Sequence, residues 1–238
     1  MNDVTRQPRL DWPQYMQAMV EATQQPLLAR FYQADWPGPD TPLRDVEFVA
    51  LDIETTGLDA RHHAIVSIGL IPFTLARIRS DQAWQQLVRP QSDLLAESVV
   101  FHHITHSDIR RAPRFAEILE DLLERLSGRI AVVHYRNIER AFIDQAVQQV
   151  LGEGLMFPMI DTMQIEAQLY PRRQPGWLKR LLGKQPISIR LADSRTRYGL
   201  PLYQAHHALT DALGTAELLQ AQVATHFSAE CRLGDVCC

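Results

Sequence analysis

With 238 residues, 46% hydrophobic and 22% charged, the chain can bury a core without disulfides or metal as staples. A formal net charge of −4 excludes a protein that coats duplex nucleic acid through bulk positive charge, so any such ligand must meet a local basic patch or metal ions. The three cysteines, Cys231, Cys237 and Cys238, fall in the last eight residues, which excludes a disulfide framework and fits a reducing compartment. They read as incidental thiols on a frayed tail, since no partner pair stands at metal-ligand spacing. No basic segment followed by an apolar one opens the chain, and no apolar run could span a bilayer. The expected location is the cytoplasm, with no membrane contact.

Pro13 to Tyr32 carries Tyr15, Met19, Leu27, Leu28 and Phe31 at helical spacing, before Trp36-Pro37-Gly38-Pro39-Asp40 breaks the pattern. One or two amphipathic helices are expected there, packed on the main domain or on a partner protein. Glu47 to Ile53 is almost wholly apolar, as a central strand would be. Ala64 to Phe73 and Ala83 to Val88 read as the next two strands. Arg114 to Leu126 has a helical apolar stripe, with Gly128 placed for a C-terminal cap. Arg129 to His134 is a buried strand, Ile138 to Leu151 a helix ended by Gly152, and Pro158 to Ile160 a short strand. Asp161-Thr162 cap a helix from Met163 to Tyr170. A short helix over Leu191 to Tyr198 and a long one from His206 to about His226 complete the chain. Strands followed by alternating helices and strands imply an α/β fold, a mixed sheet with helices on its faces. The expected division is a helical extension over 1–45, a main domain over 46–226 and a tail over 227–238.

Within the first strand, Asp52 and Glu54 project to one face because strand side chains alternate. Two acids closing an apolar strand resist desolvation and repel each other unless a cation lies between them. An isolated pair of this kind more often simply faces solvent. Here the flanking apolar strand and the turn Thr55-Thr56-Gly57 favour a metal site. A second group is His206-His207-Ala208-Leu209-Thr210-Asp211-Ala212. With His206 in the loop or first turn, its imidazole could reach the site that Asp211 lines and act as a general base. Ordinary histidines at a helix start are the bland alternative. Glu139 is a third candidate, with Phe142 and Ile143 holding its helix face to the core. By itself it would pass for a solvent-facing glutamate. Asp144 falls five residues on and points elsewhere.

Together these segments resemble the DnaQ-like, DEDDh-type 3′-5′ exonucleases, the family of the proofreading subunit of bacterial DNA polymerase III, RNase T and oligoribonuclease. The resemblance runs from about Val46 to Ala224. It rests on Leu51-Asp52-Ile53-Glu54-Thr55-Thr56-Gly57-Leu58, on Ile65-Val66-Ser67-Ile68-Gly69, and on His102-His103-Ile104-Thr105 followed by Ala112-Pro113. Asp161-Thr162 and His206 to Ala212 complete it. One departure stands out. His134-Tyr135-Arg136-Asn137-Ile138-Glu139 occupies the place of His-Asn-x-x-Phe-Asp, so Glu139 stands where an aspartate is usual.

The resemblance implies a ribonuclease H-like mixed five-stranded sheet flanked by helices. It also implies hydrolysis of terminal phosphodiesters of single-stranded nucleic acid, DNA more than RNA, to nucleoside 5′-monophosphates. Two Mg²⁺ or Mn²⁺ ions would be held by Asp52, Glu54, Asp211 and Glu139, with His206 as the base. Thr55, Thr56, Leu58, His102 and His103 would bind the 3′-terminal nucleotide. A basic stretch, Arg172, Arg173, Lys179, Arg180, Lys184, Arg190, Arg195 and Arg197 around Trp177, could track single-stranded DNA or RNA 3′ ends, or be a solvated face. The competing reading is a degenerate exonuclease fold that only binds nucleic acid or a partner. A homodimer is left open.

Overall fold

The computed structural model describes residues 10–90, 104, 106–171 and 186–237. His102, His103 and the basic residues from Arg172 to Lys184, with Trp177, lie outside these. Helices α1 (Trp12–Ala22) and α2 (Pro26–Tyr32) come first, then strands β1 (Phe48–Thr55), β2 (Ile65–Phe73) and β3 (Trp84–Leu87). The short α3 (His106–Ile109) and α4 (Phe115–Leu126) lead to β4 (Ile130–Val133), α5 (Arg136–Leu151), β5 (Met159–Asp161) and α6 (Thr162–Leu169). After the undescribed stretch come α7 (Leu191–Arg197), α8 (Ala208–His226) and α9 (Leu233–Val236).

The five strands form one mixed sheet in the order β3-β2-β1-β4-β5. β1 runs antiparallel to β2 and parallel to β4. Both faces are covered, which is why β1 reads as a continuous apolar run. Val49, Leu51 and Ile53 pack with Leu28 and Phe31 of α2, Leu119 and Leu122 of α4, and Phe142 and Ile143 of α5. Phe48 and Ala50 face the other way, onto Ala212, Ala216, Leu219 and Val223 of α8. By alternation Asp52 and Glu54 lie on this α8 face.

The N-terminal helices belong to the first of these cores. Met16, Leu28, Phe31 and Tyr32 are buried in it, so the extension packs on the main domain. The tail departs from expectation. It does not fray: Leu233, Val236 and Cys237 are buried in the second core. The Leu233 amide donates to Thr41 O at 2.9 Å and the Gly234 amide to Pro39 O at 2.8 Å, so the tail is held to the segment just before β1. Among the described residues no helix is long and apolar enough to cross a membrane.

Candidate active site

β1 continues two residues past its expected end, so Asp52 and Glu54 sit within the strand. Its pairing with β4 covers only Phe48 to Ala50, whereas the ladder with β2 continues to Thr55. Beyond Ala50 the strand is therefore free of the β4 ladder, and the two carboxylates rise at that step in the sheet.

Asp211 reaches them because α8 starts very close to the sheet. Gly69 of β2 pairs with Asp52 and shares its face. A Cβ on Gly69 would stand 2.4 Å from the Ala208 carbonyl carbon and 2.5 Å from the Leu209 nitrogen. Only glycine permits that approach. The result brings carboxylate oxygens of Asp52, Glu54 and Asp211 within 4.8 Å of one another, a grouping that could hold a metal ion.

His206 lies in the loop before α8, exposed, with a left-handed φ of 66°. Its backbone amide donates to Asp211 Oδ2 at 2.7 Å. His207 has a different task. It is the N-cap of α8, and its Nδ1 lies 3.4 Å from the Thr210 amide it accepts. The tandem histidines thus divide into one that starts the helix and one carried ahead of it.

Glu139 corrects the bland expectation for it: the residue is 4% exposed. Its Oε2 is buried without a hydrogen-bond partner. Burial raises its carboxyl well above the usual range, and the charge of Asp161 adds to this. Asp144 faces away and accepts the Leu155 amide at 2.8 Å.

The acids respond to one another. Burial first, then the charges of Glu139, Asp211 and Glu54, hold the Asp52 carboxyl well above its ordinary value. Glu54 is pushed up to about 7 by burial and by Asp211. Asp211 is raised by burial, against the backbone amides of His206 and His207. Half-buried carboxylates this close repel one another in their charged form, and a cation among them offsets that repulsion. An all-oxygen set of this kind suits a hard divalent ion.

The expected substrate contacts divide. Leu58 is 83% exposed on the β1–β2 turn. The Thr55 hydroxyl donates to Gly57 O at 2.6 Å. Thr56 turns inward, 3% exposed, and its hydroxyl accepts the Ala64 amide at 3.0 Å. Its side chain closes the turn and is not offered to a ligand. Two members of the basic stretch are also spent on internal partners, Arg195 buried and Arg197 half-buried. Arg197 pairs with the fully buried Glu166, and Arg195 is 3% exposed. Helix packing has consumed both charges. Arg190 remains exposed.

Asp161 caps α6, as expected from the sequence, but nothing in the sequence shows that it also holds the start of α5. Its Oδ1 accepts the Tyr135 amide at 3.0 Å and the Met163 amide at 2.9 Å, while Oδ2 accepts the Arg136 amide at 3.1 Å. One carboxylate thereby caps both α6 and α5, and α5 starts at Arg136, two residues ahead of expectation. It also holds Tyr135 at a left-handed φ of 91°, a conformation costly for a bulky side chain.

Residues 49–219 match the RNase T family model, described as exonuclease. The chain belongs to this exonuclease family. It is therefore a nuclease that hydrolyses phosphodiester bonds. It is 28% identical over 181 residues to DNA polymerase III subunit epsilon of Treponema pallidum, covering 76% of this chain and 78% of that protein. It is 27% identical over 179 residues to the PolC-type DNA polymerase III of Thermotoga maritima, covering 75% of this chain but only 12% of that much longer protein. Solved structures confirm the ribonuclease H-like fold. The nuclease domain of 3′hExo, a DEDDh family member bound to rAMP, superposes with a TM-score of 0.60 at 14% identity, covering 76% of this chain and 92% of that one. Exonuclease X in complex with 5′ overhanging duplex DNA gives 0.59 at 20%, covering 79% and 98%.

Proposed function

We propose that this exonuclease removes nucleoside 5′-monophosphates from the 3′ ends of single strands, DNA in preference to RNA, using two divalent ions and His206. The observation that carries this is the cluster of Asp52, Glu54 and Asp211 within 4.8 Å, with buried Glu139 acting on Asp52. The DNA preference takes its support from the relatives, which are DNA polymerase subunits.

Asp52, Glu54 and Asp211 would hold one ion, and Asp52 with Glu139 the second. Such ions neutralise developing charge on the phosphate and acidify a water molecule. The exonuclease's own residues do the rest. His206, at the mouth of the cluster, takes the proton of the attacking water. Leu58, standing free on its turn, packs against the terminal base, and the backbone around Thr55 seats the sugar and phosphate.

The test is a 3′-labelled oligonucleotide incubated with Mn²⁺ or Mg²⁺. Stepwise release of mononucleotides is expected. Binding without release would instead favour a degenerate fold that only captures nucleic acid. Asp52→Ala should abolish turnover, while Asp144→Ala should leave it nearly intact, because Asp144 serves a loop amide. Equal losses would show that Glu139 has been misassigned and that Asp144 is the acid of the segment following His134.

A further inference from the structure

His206 is carried by a segment with little regular structure of its own. Residues 201–207 are all exposed to solvent. A segment of that kind does not by itself fix an imidazole to a fraction of an ångström. The restraint comes from α7.

Arg195 of α7 is almost fully buried, and its guanidinium is spread over several partners. Nη1 donates to Gly214 O at 2.6 Å and Nη2 to Pro201 O at 2.8 Å. Nη2 also ion-pairs with Glu217 Oε2 at 2.7 Å. The guanidinium carbon lies 4.5 Å from the centre of the Tyr203 ring. The Tyr203 hydroxyl in turn donates to Glu217 Oε1 at 3.0 Å. Gly214 leaves room for the fork: a Cβ there would stand 3.2 Å from Arg195 Nη1. A planar, rigid fork suits this geometry in a way that a lysine would not. The two carbonyls and the Glu217 carboxylate offset the cost of burying the charge.

We propose that Arg195, Glu217 and Tyr203 form a bracket that positions the segment carrying His206, and so the base, over the carboxylate cluster. It holds the segment at Pro201 and Tyr203. At the far end Asp211 holds the His206 amide. Only Gln204 and Ala205 lie between the two holds. The assignment rests on the reading of His206 as the base. A displacement of about 1 Å at a catalytic group costs on the order of 10²-fold in rate.

Arg195→Met alone would strand the Glu217 carboxylate, so Tyr203→Leu is the primary variant and Arg195→Met with Glu217→Gln the second. Turnover of a 3′-labelled oligonucleotide would be measured with amide exchange across residues 200–226. Each variant should lower kcat by roughly tenfold or more, leave KM within about twofold and speed exchange in residues 200–207 alone. In the His206→Ala background Tyr203→Leu should cost nothing further, since two changes acting through one group are not additive. Unchanged kcat and exchange would overturn the bracket. So would a raised KM at constant kcat, which would make the Tyr203 ring a substrate contact, and so would exchange rising along the whole of α8. If His206→Ala keeps full turnover, the base reading itself fails. If His206→Ala is inactive and both bracket variants behave as wild type, the bracket alone fails.

Discussion

Glu139 is one methylene longer than the aspartate usual in its place, and it is buried beside Asp52 with one oxygen unpartnered. Mg²⁺ demands near-ideal octahedral geometry, whereas a longer, freer carboxylate leaves its ion less constrained. Glu139→Asp is therefore expected to change the ratio of Mn²⁺-supported to Mg²⁺-supported turnover. Glu139→Gln should lower turnover with both ions by about 10²-fold or more, the scale of losing a group that stabilises transition-state charge. Titrating each metal against rate checks this, and equal small effects with both ions would place Glu139 outside the metal shell. Asp52 and Glu54 were legible in the sequence because strand alternation needs no knowledge of the fold. Asp211 was legible through the order and spacing of its motif. Thr56 was not, since only the Ala64 amide across the turn shows that its hydroxyl is spent. Nor were Arg195 and Arg197, which read as surface charge until α8 and Glu166 close over them.

Among the elements, the strands and the longer helices were readable from periodicity, but the short α3 and α9 and the distances between elements were not. The meeting of β2 with α8 decides whether Asp211 joins the cluster, and Gly69 sets it. A lone glycine inside an apolar strand is a recognised sign of close backbone approach, so a signal was present. Gly69→Ala would drive a methyl carbon into the Ala208 carbonyl, where main-chain atoms cannot rotate away. The expected result is a stability loss of about 1–3 kcal/mol together with a fall in turnover, as the start of α8 lifts from β1. Denaturant unfolding and kinetics on the same preparation test it. Wild-type turnover in a stably folded Gly69→Ala protein would show that the close approach does not position Asp211. The start of α5 had no comparable local signal. Its cap is Asp161, supplied from the end of β5 across the sheet.

For the molecule as a whole, the cluster opposes folding when it is charged, and this has a measurable consequence. The carboxyls of Asp52, Glu54, Glu139 and Asp211 are all raised in the folded chain, with Glu54 at about 7. A carboxyl raised on folding binds its proton more tightly folded than unfolded. The stability it contributes is complete below its unfolded value and falls as pH rises through the folded value. Glu166 works with the opposite sign. Against the desolvation of its burial, hydrogen bonds from Arg197, Gln222 and Tyr198 hold it low. Its contribution is present above the unfolded carboxylate range and is lost only as pH falls through its lowered value. Between about pH 5 and 8 Glu166 is already ionised in both states, and His134, held low mainly by burial, works against the four raised carboxyls of the cluster, which outnumber it. In the presence of a chelator the midpoint of thermal unfolding should therefore decline from pH 5 to pH 8. Millimolar Mn²⁺ should reverse the decline and do so most strongly at the alkaline end, because ligand carboxylates must lose their protons to bind. Asp52→Asn with Glu54→Gln should flatten the chelated profile and remove the metal response together. A metal response that survives this pair of changes would place the ion elsewhere in the molecule.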